Sequence, residues 1–204
     1  ILKVLLLGVV EGVTEFLPVS STGHMIIVDE FIKLSQNEAF TASFQIIIQL
    51  GAILSVVVFF WKRLWPFIGT EEEKKGKWTL WSKVVVGVLP AVVLGLMFDD
   101  FIEEKLFNAL TVSIALIFYG IILIIMENKN AKKSSFKVTD VKYLTFKMAI
   151  IIGFFQCLAM VPGTSRSAAT IIGGLALGLN RAAAAEFSFF LAIPTMFGAT
   201  LLKI

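Results

Sequence analysis

The sequence contains few charged residues and almost no cysteine or histidine. Asp, Glu, Lys and Arg make up 16% of the 204 residues, whereas hydrophobic residues make up 57%. This balance excludes an ordinary soluble domain, and the lipid bilayer is the expected solvent. Cys157 is the only cysteine, which excludes an intrachain disulfide. We expect no cleavable signal peptide, because no charged stretch precedes the first apolar run.

Long apolar runs predict an all-α polytopic membrane protein. A spanning helix needs about 20 mainly apolar residues, and we expect spans at residues 39–61, 84–98, 106–126 and 182–202. The second of these is short around Pro90 and extends to about Phe101. Two other runs, 1–17 and 148–161, are too short for regular spans, and each leads into a polar segment that contains proline.

The basic residues set the expected orientation. Residues 62–83 and 127–147 each carry six Lys or Arg, so both are predicted to be cytoplasmic loops. Within the first, residues 71–77 are expected to be a solvated charged loop. The acidic connection at 99–105 and residues 28–38 should then lie outside. These loops account for the net charge of +3, and no nucleic-acid partner is expected.

Two Pro/Ser segments predict an inverted repeat. EFLPVSSTGHMII and AMVPGTSRSAATII align under a shift of 144 residues, which pairs Pro18 with Pro162, Ser20 with Thr164 and Ser21 with Ser165. The predicted topology makes them re-entrant helical hairpins that enter from opposite faces. Irregular backbone at that depth must be buried in protein or line a wet cavity, so the two tips are expected to form one site. Two unrelated Pro/Ser turns are the alternative.

The repeat also predicts how the chain is organised. We expect one integral membrane domain over residues 1–204, with a first unit at about 1–126 and a second, incomplete unit from about 145. Completing the second unit requires about 66 further residues that contain roughly two spans.

The first polar segment, EGVTEFLPVSSTGH, groups carboxylates, hydroxyls and an imidazole. Glu11 and Glu15 are spaced i, i+4 and share a helix face. Two adjacent carboxylates in a membrane need a cation, a shared proton or water. We expect them to hold Mg²⁺ or Ca²⁺, which prefer oxygen ligands; a wet helix end is the alternative. His24 suits a general acid or base that activates Ser21.

The second polar segment, VPGTSRSAAT, has the features of an anion site. Pro162 ends one helix, and the free N–H groups of the next helix favour phosphate. Arg166 adds a permanent charge and a bidentate donor, although an interfacial arginine is the alternative. The residues expected to bind phosphate are Ser20, Thr22, Gly163, Thr164, Ser165, Arg166, Ser167 and Thr170.

At these motifs the chain resembles the undecaprenyl-diphosphate phosphatase family, which is also known for bacitracin resistance. Glu11-xxx-Glu15 is similar to its E/QxxxE motif, FLPVSSTGH continues that region, and PGTSRS is similar to its second motif. The resemblance extends over the whole chain, and members of the family are longer than this chain. Ala168 stands where the family commonly has glycine, which remains compatible with a helix start.

The resemblance implies a bacterial cytoplasmic-membrane enzyme with two re-entrant regions and a site open to the outer side. It implies removal of the terminal phosphate from undecaprenyl diphosphate, supported by a divalent cation, which recycles the lipid carrier for cell-wall synthesis. The implied catalytic set is Glu11, Glu15, Ser21, His24 and Arg166. Attack by Ser21 and attack by water both stay open.

The expected partners are an isoprenoid diphosphate lipid and the phospholipid bilayer, with a homodimer as an open option. The long tail of such a lipid needs an apolar side opening between helices. An isoprenoid-phosphate flippase is the alternative function, because inverted repeats with broken helices are a transporter architecture. The clustered Glu, Ser and His residues favour the enzyme, since transport alone does not require them.

Overall fold

The described part of the chain is mainly helical. The computed structural model describes residues 1–35, 37–106 and 108–203, and the side chains of residues 38, 39, 42, 99, 100, 103, 109, 202 and 203 lie outside this description. No strand occurs in this part, where Val138 and Leu179 form an isolated bridge. The α-helices are α1 (Leu2–Thr14), α2 (Ser21–Ile32), α3 (Glu38–Phe59), α4 (Trp61–Leu64), α5 (Glu71–Leu106), α6 (Ala109–Ala131), α7 (Phe146–Cys157), α8 (Arg166–Ala176) and α9 (Arg181–Lys203).

Three helical stretches of the described residues are long and apolar enough to cross a membrane. They are Glu71–Phe98, Leu110–Ala131 and Arg181–Leu201, with mean hydropathies of 2.0, 2.4 and 1.4. They contain most of the spans predicted at 84–98, 106–126 and 182–202. The span predicted at 39–61 corresponds to α3, whose apolar stretch with described side chains is Ser43–Phe59. The prediction of an all-α protein with several membrane helices is therefore confirmed.

Helix α5 is longer than the sequence pattern predicts. It has 36 residues, so the predicted loop at 71–77 forms its first turns and the predicted acidic connection at 99–105 forms its last turns. Both loop predictions are wrong at the level of the backbone. The side chains of Asp99, Asp100 and Glu103 lie outside the described residues.

A capping box explains why α5 begins so early. The Thr70 N–H donates to Glu73 Oε2 at 2.8 Å, and the Glu73 N–H donates to Thr70 Oγ1 at 3.3 Å. Glutamates at positions 71, 72 and 73 also place negative charge at the positive end of the helix dipole. These two effects make a helix start from residues that composition alone describes as a charged loop.

In each of two helix pairs, α1–α2 and α7–α8, the start of the first helix lies close to the end of the second helix. In the first pair, Lys3 Nζ donates to the Lys33 carbonyl at 2.8 Å, which brings the start of α1 to the end of α2. In the second pair, the chain before α7 meets the chain after α8, because the Asn180 N–H donates to the Val138 carbonyl at 2.9 Å.

Helix α3 separates these two ends. Its N-terminus follows Lys33 closely, and shortly after its C-terminus Arg63 contacts Asp140 at 2.9 Å, beside the start of the second pair. Its 22 residues correspond to about 33 Å of helix. The two pairs therefore enter the bundle from opposite ends of α3, and their bent tips point toward each other.

The core lies where α5, α7, α8 and α9 meet. Phe187, Phe190 and Leu191 of α9 are fully buried there, together with Leu175 and Val84. Close approach of α5 and α7 depends on glycine, because a Cβ on Gly153 would lie 2.1 Å from the Gly87 carbonyl oxygen. Small residues at such crossings let helix backbones pack closely in membranes, and this packing fixes α7 and the tip that follows it.

Candidate functional site

The first tip is formed by residues 15–20, between α1 and α2. The Glu15 N–H still donates to the Glu11 carbonyl at 2.9 Å, so both side chains leave the end of α1 on one face. Both are buried, with 1% of Glu11 and 8% of Glu15 exposed. Ser20 then starts α2 as its N-cap and accepts from the Gly23 N–H. Its φ of 64° is strained for a residue that is not glycine.

The second tip is formed by residues 158–165, between α7 and α8. Gly163 has a φ of 89°, and a Cβ there would lie 2.5 Å from the Val112 carbonyl oxygen, so glycine alone lets this turn press against α6. Ser165 is the N-cap of α8 and accepts from the Ala168 N–H. Arg166 is therefore the first residue of a helix, beside free backbone N–H groups.

Helix caps correct the register that the sequence suggests between the two tips. Ser20 and Ser165 hold the same cap position, and each accepts from the N–H three residues later. This equivalence corresponds to a shift of 145 residues, not 144, and places Ser21 opposite Arg166 and Glu11 opposite Gln156. An alignment by residue identity does not give this register, because the number of residues between the proline and the helix cap differs by one between the two segments.

The two tips contact each other through charged and polar groups. Arg166 Nη2 lies 2.9 Å from Glu15 Oε1, and both side chains are largely buried. Ser21 Oγ donates to the other oxygen of the same carboxylate, Glu15 Oε2, at 2.5 Å. Ser167 Oγ donates to the Leu17 carbonyl at 3.1 Å. Residues 151 positions apart in sequence thus form one cluster, as the sequence analysis predicts for the two tips.

Glu11 lies beside Glu15 and Ser21, but unlike Glu15 it makes no hydrogen bond of good geometry with its oxygens. Neither Glu11 Oε1 nor Oε2 has a hydrogen bond among the described residues, although both atoms are buried. A buried, unpaired carboxylate is costly and calls for a proton or a cation. Two neighbouring glutamates are hard oxygen ligands that fit Mg²⁺ or Ca²⁺. Among the described residues, no third His, Cys, Asp or Glu joins this pair to form a metal-binding group.

A polar cavity of about 220 Å³ lies between the tips. Eight of its lining residues are among those predicted for the site, namely Glu15, Ser20, Ser21, Thr22, Thr164, Ser165, Arg166 and Ser167. The Thr164 hydroxyl is buried and has no hydrogen-bond partner among the described residues. It is therefore free to donate to an anion in the cavity.

Other residues of the cavity were not predicted as site residues. Gln49 of α3 and Thr195 of α9 line it, and the Gln156 amide donates to Thr195 Oγ1 at 3.3 Å. Outside its lining, the Ser188 carbonyl accepts from Arg166 Nη1 at 3.2 Å and so orients the guanidinium. The available signal for these residues was that each is polar and lies in an apolar span. They are far in sequence from both motifs, so the sequence does not show that they lie beside the two tips.

Four predicted site residues do not line this cavity, namely Glu11, His24, Gly163 and Thr170. His24 Nδ1 contacts the Ser20 carbonyl at 2.9 Å, and the Ser21 hydroxyl that His24 was expected to activate is bound to Glu15 instead. Thr170 is 1% exposed, and its hydroxyl contacts helix carbonyls and Ser188 Oγ, at 2.7 Å from the latter. Thr170 thus joins α8 to α9. Gly163 lines a neighbouring apolar cavity.

A buried arginine, carboxylate and serine cluster inside apolar helices is typical of a membrane protein that binds an anionic group. The family model of the bacitracin resistance protein BacA matches residues 4–204, and the chain belongs to this family.

Curated relatives cover the same region. Undecaprenyl-diphosphatase 1 of Oenococcus oeni is 56% identical over all of this chain and 74% of its own length. The undecaprenyl-diphosphatase of Lachnoclostridium phytofermentans is 55% identical over all of this chain and 75% of its own length. That of Enterococcus faecalis is 54% identical over 99% of this chain and 74% of its own length. The chain therefore spans about three quarters of each of these relatives.

Proposed function

We propose that this protein is a membrane phosphatase that hydrolyses undecaprenyl diphosphate to undecaprenyl phosphate and inorganic phosphate. In a bacterial cytoplasmic membrane, this reaction recycles the lipid carrier for cell-wall synthesis. Membership of the BacA family and the names of the relatives support this function. The observation that carries it is the cluster of Arg166, Glu15 and Ser21. It combines a guanidinium that can bind an anion with a serine hydroxyl that is hydrogen-bonded to a carboxylate.

Arg166 and the backbone of α8 bind the diphosphate in this proposal. A guanidinium can donate two parallel hydrogen bonds to phosphate oxygens, and a helix N-terminus adds its N–H groups and dipole. Thr164 supplies an unpaired hydroxyl in the same cavity. Because these donors are fixed by the fold, they can stabilise the charge of a phosphoryl transition state without reorganisation.

Ser21 is the proposed nucleophile and Glu15 the proposed base. The Ser21 hydroxyl already donates its hydrogen bond to Glu15 Oε2. Attack of Ser21 Oγ on the terminal phosphorus would break the bridging P–O bond, release undecaprenyl phosphate and pass the proton to Glu15. Water would then cleave the phosphoserine to inorganic phosphate and restore the hydroxyl. The acid or base role of His24 stays a prediction, because the contact with the Ser20 carbonyl involves only Nδ1 of its ring.

A divalent cation, Mg²⁺ or Ca²⁺, is part of the proposal, with Glu11 and Glu15 as its protein ligands. The buried and unpaired oxygens of Glu11 support it. Such an ion would supply positive charge to the phosphate oxygens when it is bound.

The membrane arrangement is also proposed. The α1–α2 and α7–α8 pairs would be re-entrant hairpins of an inverted repeat, because each pair starts and finishes at its own end of α3. Residues 62–83 and 127–147 lie at the C-terminal end of α3, where Arg63 contacts Asp140, and we call this end the Lys-rich end. The positive-inside rule would put the Lys-rich end in the cytoplasm and open the site to the outer side. Both tips of the proposed site belong to one chain. No observation favours the flippase alternative, which we do not propose.

The test is phosphate release from undecaprenyl diphosphate by the purified protein in detergent. Glu15→Gln removes the base while keeping its size, and we expect a loss of at least about 100-fold in kcat. Glu186→Gln is the matched control, because Glu186 is also a shielded carboxylate paired to an arginine, at 2.9 Å from Arg63. Release at the wild-type rate by Glu15→Gln, or equal losses in both variants, would contradict the proposed site.

A further inference from the structure

One wall of the polar cavity has no role in the reaction as proposed so far. Thr195 of α9 and Gln49 of α3 line this wall. Gln156 of α7 contacts Thr195, because its amide donates to Thr195 Oγ1 at 3.3 Å. We call these three residues the Gln/Thr cluster. Each is a neutral polar residue in an apolar helix, and such residues either join helices or serve the site that they line.

Thr195 can only accept a hydrogen bond from the cavity. A threonine hydroxyl has one proton and two lone pairs. The Thr195 hydroxyl donates its proton to the Leu191 carbonyl at 2.7 Å, and one lone pair accepts from Gln156 Nε2. One lone pair therefore remains for the cavity. An ionised phosphate oxygen has no proton to give to this lone pair, whereas a water molecule has two.

Gln156 places a second acceptor close to Thr195. The residue is 2% exposed, and its Oε1 makes no hydrogen bond among the described residues. A buried amide oxygen normally accepts from a protein group or from an ordered water. Because Nε2 of the same amide is bonded to Thr195, Oε1 lies near the Thr195 hydroxyl. Two neighbouring acceptors match the two hydrogens of one water molecule.

We propose that the Gln/Thr cluster holds the water that cleaves the phosphoserine, with Thr195 as its direct partner and Gln156 as a positioning residue. This inference rests on the proposed function, in which Ser21 forms that intermediate. The water oxygen bonds to phosphorus while the bond from phosphorus to Ser21 Oγ breaks. Glu15 returns to Oγ the proton that it took in the first step, and both water hydrogens leave on the product, dihydrogen phosphate.

The position of the Gln/Thr cluster suits this step. Ser21 belongs to the first tip, whereas Thr195 and Gln49 belong to α9 and α3, and all three line the same cavity. An in-line displacement needs the attacking oxygen and the leaving oxygen on opposite sides of phosphorus. A phosphoryl group that extends from Ser21 into the cavity lies between the tip and this wall. Since acceptors hold the water by its hydrogens, the lone pairs of its oxygen stay free for attack.

The experiment measures the two half-reactions separately in detergent, with undecaprenyl diphosphate that carries radioactive phosphorus in its terminal phosphate. Thr195→Val removes the hydroxyl and keeps the shape. The first turnover should release undecaprenyl phosphate within about threefold of the wild-type rate. Steady-state phosphate release should fall at least about tenfold, because the water is no longer held, and labelled phosphoserine should accumulate on the protein. Thr195→Ser keeps the hydroxyl and should restore most of the turnover.

Thr200→Val is the matched control. Thr200 lies on the same helix, is 5% exposed and donates to the Met196 carbonyl at 2.8 Å, as Thr195 does to Leu191. It is not one of the described residues that line the polar cavity, and its replacement should change neither half-reaction. Gln156→Met keeps the length of the side chain and removes the donor to Thr195. It should give the same accumulation of phosphoserine, and it is the test if Thr195→Val does not fold.

Four results would overturn the inference. Equal slowing of both half-reactions in Thr195→Val would indicate a structural role, and a higher KM with unchanged kcat would make Thr195 a phosphate ligand. Turnover at the wild-type rate, or slower turnover without labelled protein, would mean that the water is held elsewhere. The same accumulation in Thr200→Val would indicate a general effect on α9. Failure of the wild-type protein to release phosphate would instead contradict the proposed function, so the two failures are distinguishable.

Discussion

The two tips have the same local design and opposite chemistry. Each breaks a helix, turns, and starts the next helix with a serine cap that accepts from the N–H three residues later. At the position after the cap, the first tip has Ser21 and the second has Arg166. One turn design thus places the proposed nucleophile in one tip and the proposed anion-binding group in the other.

The preceding helices differ in the same way. Among the described residues, neither buried oxygen of Glu11 makes a hydrogen bond, whereas Gln156 at the matching position donates to Thr195 and only its side-chain oxygen lacks one. An amide carries no net charge and is stable in the core once it is bonded, but a carboxylate needs a cation or a proton. In the proposed function, the reacting groups therefore lie in the first tip, and the cationic group that would bind phosphate lies in the second.

The largest expected effect is that of removing the nucleophile. Ser21→Ala should lower kcat by about 10⁴-fold or more, as expected when a covalent nucleophile is lost. Phosphate release under single-turnover conditions measures it, with Ser43→Ala on the exposed face of α3 as the control. A residual rate within about tenfold of the wild type would assign the attack to water and leave Ser21 a binding role.

The second effect comes from the anion receptor of the other tip. Arg166→Ala should lower kcat/KM by about 10²–10³-fold, the usual result of removing one donor to a transition-state anion. Arg166→Lys should recover only part of this, since the planar fork is lost. Arg63→Ala is the control, because Arg63 also forms ion pairs but lies at the Lys-rich end. Equal losses in Arg63→Ala, measured per folded molecule, would contradict a specific role for Arg166.

A reciprocal exchange tests the difference between Glu11 and Gln156. Glu11→Gln should weaken the activating effect of Mg²⁺ at least about tenfold, because one expected ligand loses its charge. Gln156→Glu should leave the cation dependence unchanged. It should lower thermal stability, because it places a carboxylate at a position where the wild-type amide is only 2% exposed. Titration of activity with Mg²⁺ and EDTA measures the first, and a thermal-unfolding curve the second. An unchanged Mg²⁺ response in Glu11→Gln would remove the cation from this pair.

The smallest effect on activity is expected at Thr170. Thr170→Val keeps the shape but removes the hydroxyl that contacts Ser188 Oγ. We expect stability to fall by about 1–3 kcal/mol and kcat/KM to stay within about threefold. Comparison of denaturation with phosphate release separates the two. A loss of activity as large as that of Arg166→Ala would return Thr170 to the phosphate site.

The sequence predicts the parts of this fold that are determined by residues close to each other in the chain. Pro18, Pro162 and the Ser/Thr clusters mark both helix breaks, and long uncharged runs mark the membrane helices. It fails at α5, where the Thr70–Glu73 capping box lies within a stretch that composition describes as a charged loop.

The site was predictable for Glu15, Ser21 and Arg166 because their side-chain types already imply the chemistry. The positions of Gln49, Thr195 and Ser188 depend on how α3 and α9 pack around the tips, and no local pattern encodes that packing. The same holds for His24. Its residue type suggests a catalytic acid or base, but helix geometry turns its Nδ1 back to the Ser20 carbonyl.

The backbone of Ser20 has a consequence for the balance between durability and turnover. A φ of 64° costs of order 1–3 kcal/mol in a residue with a side chain, while glycine adopts it freely and caps a helix almost as well. Ser20→Gly should therefore make the protein harder to denature and, by deleting a hydroxyl from the cavity, slower. A protein optimised for robustness alone would carry glycine here.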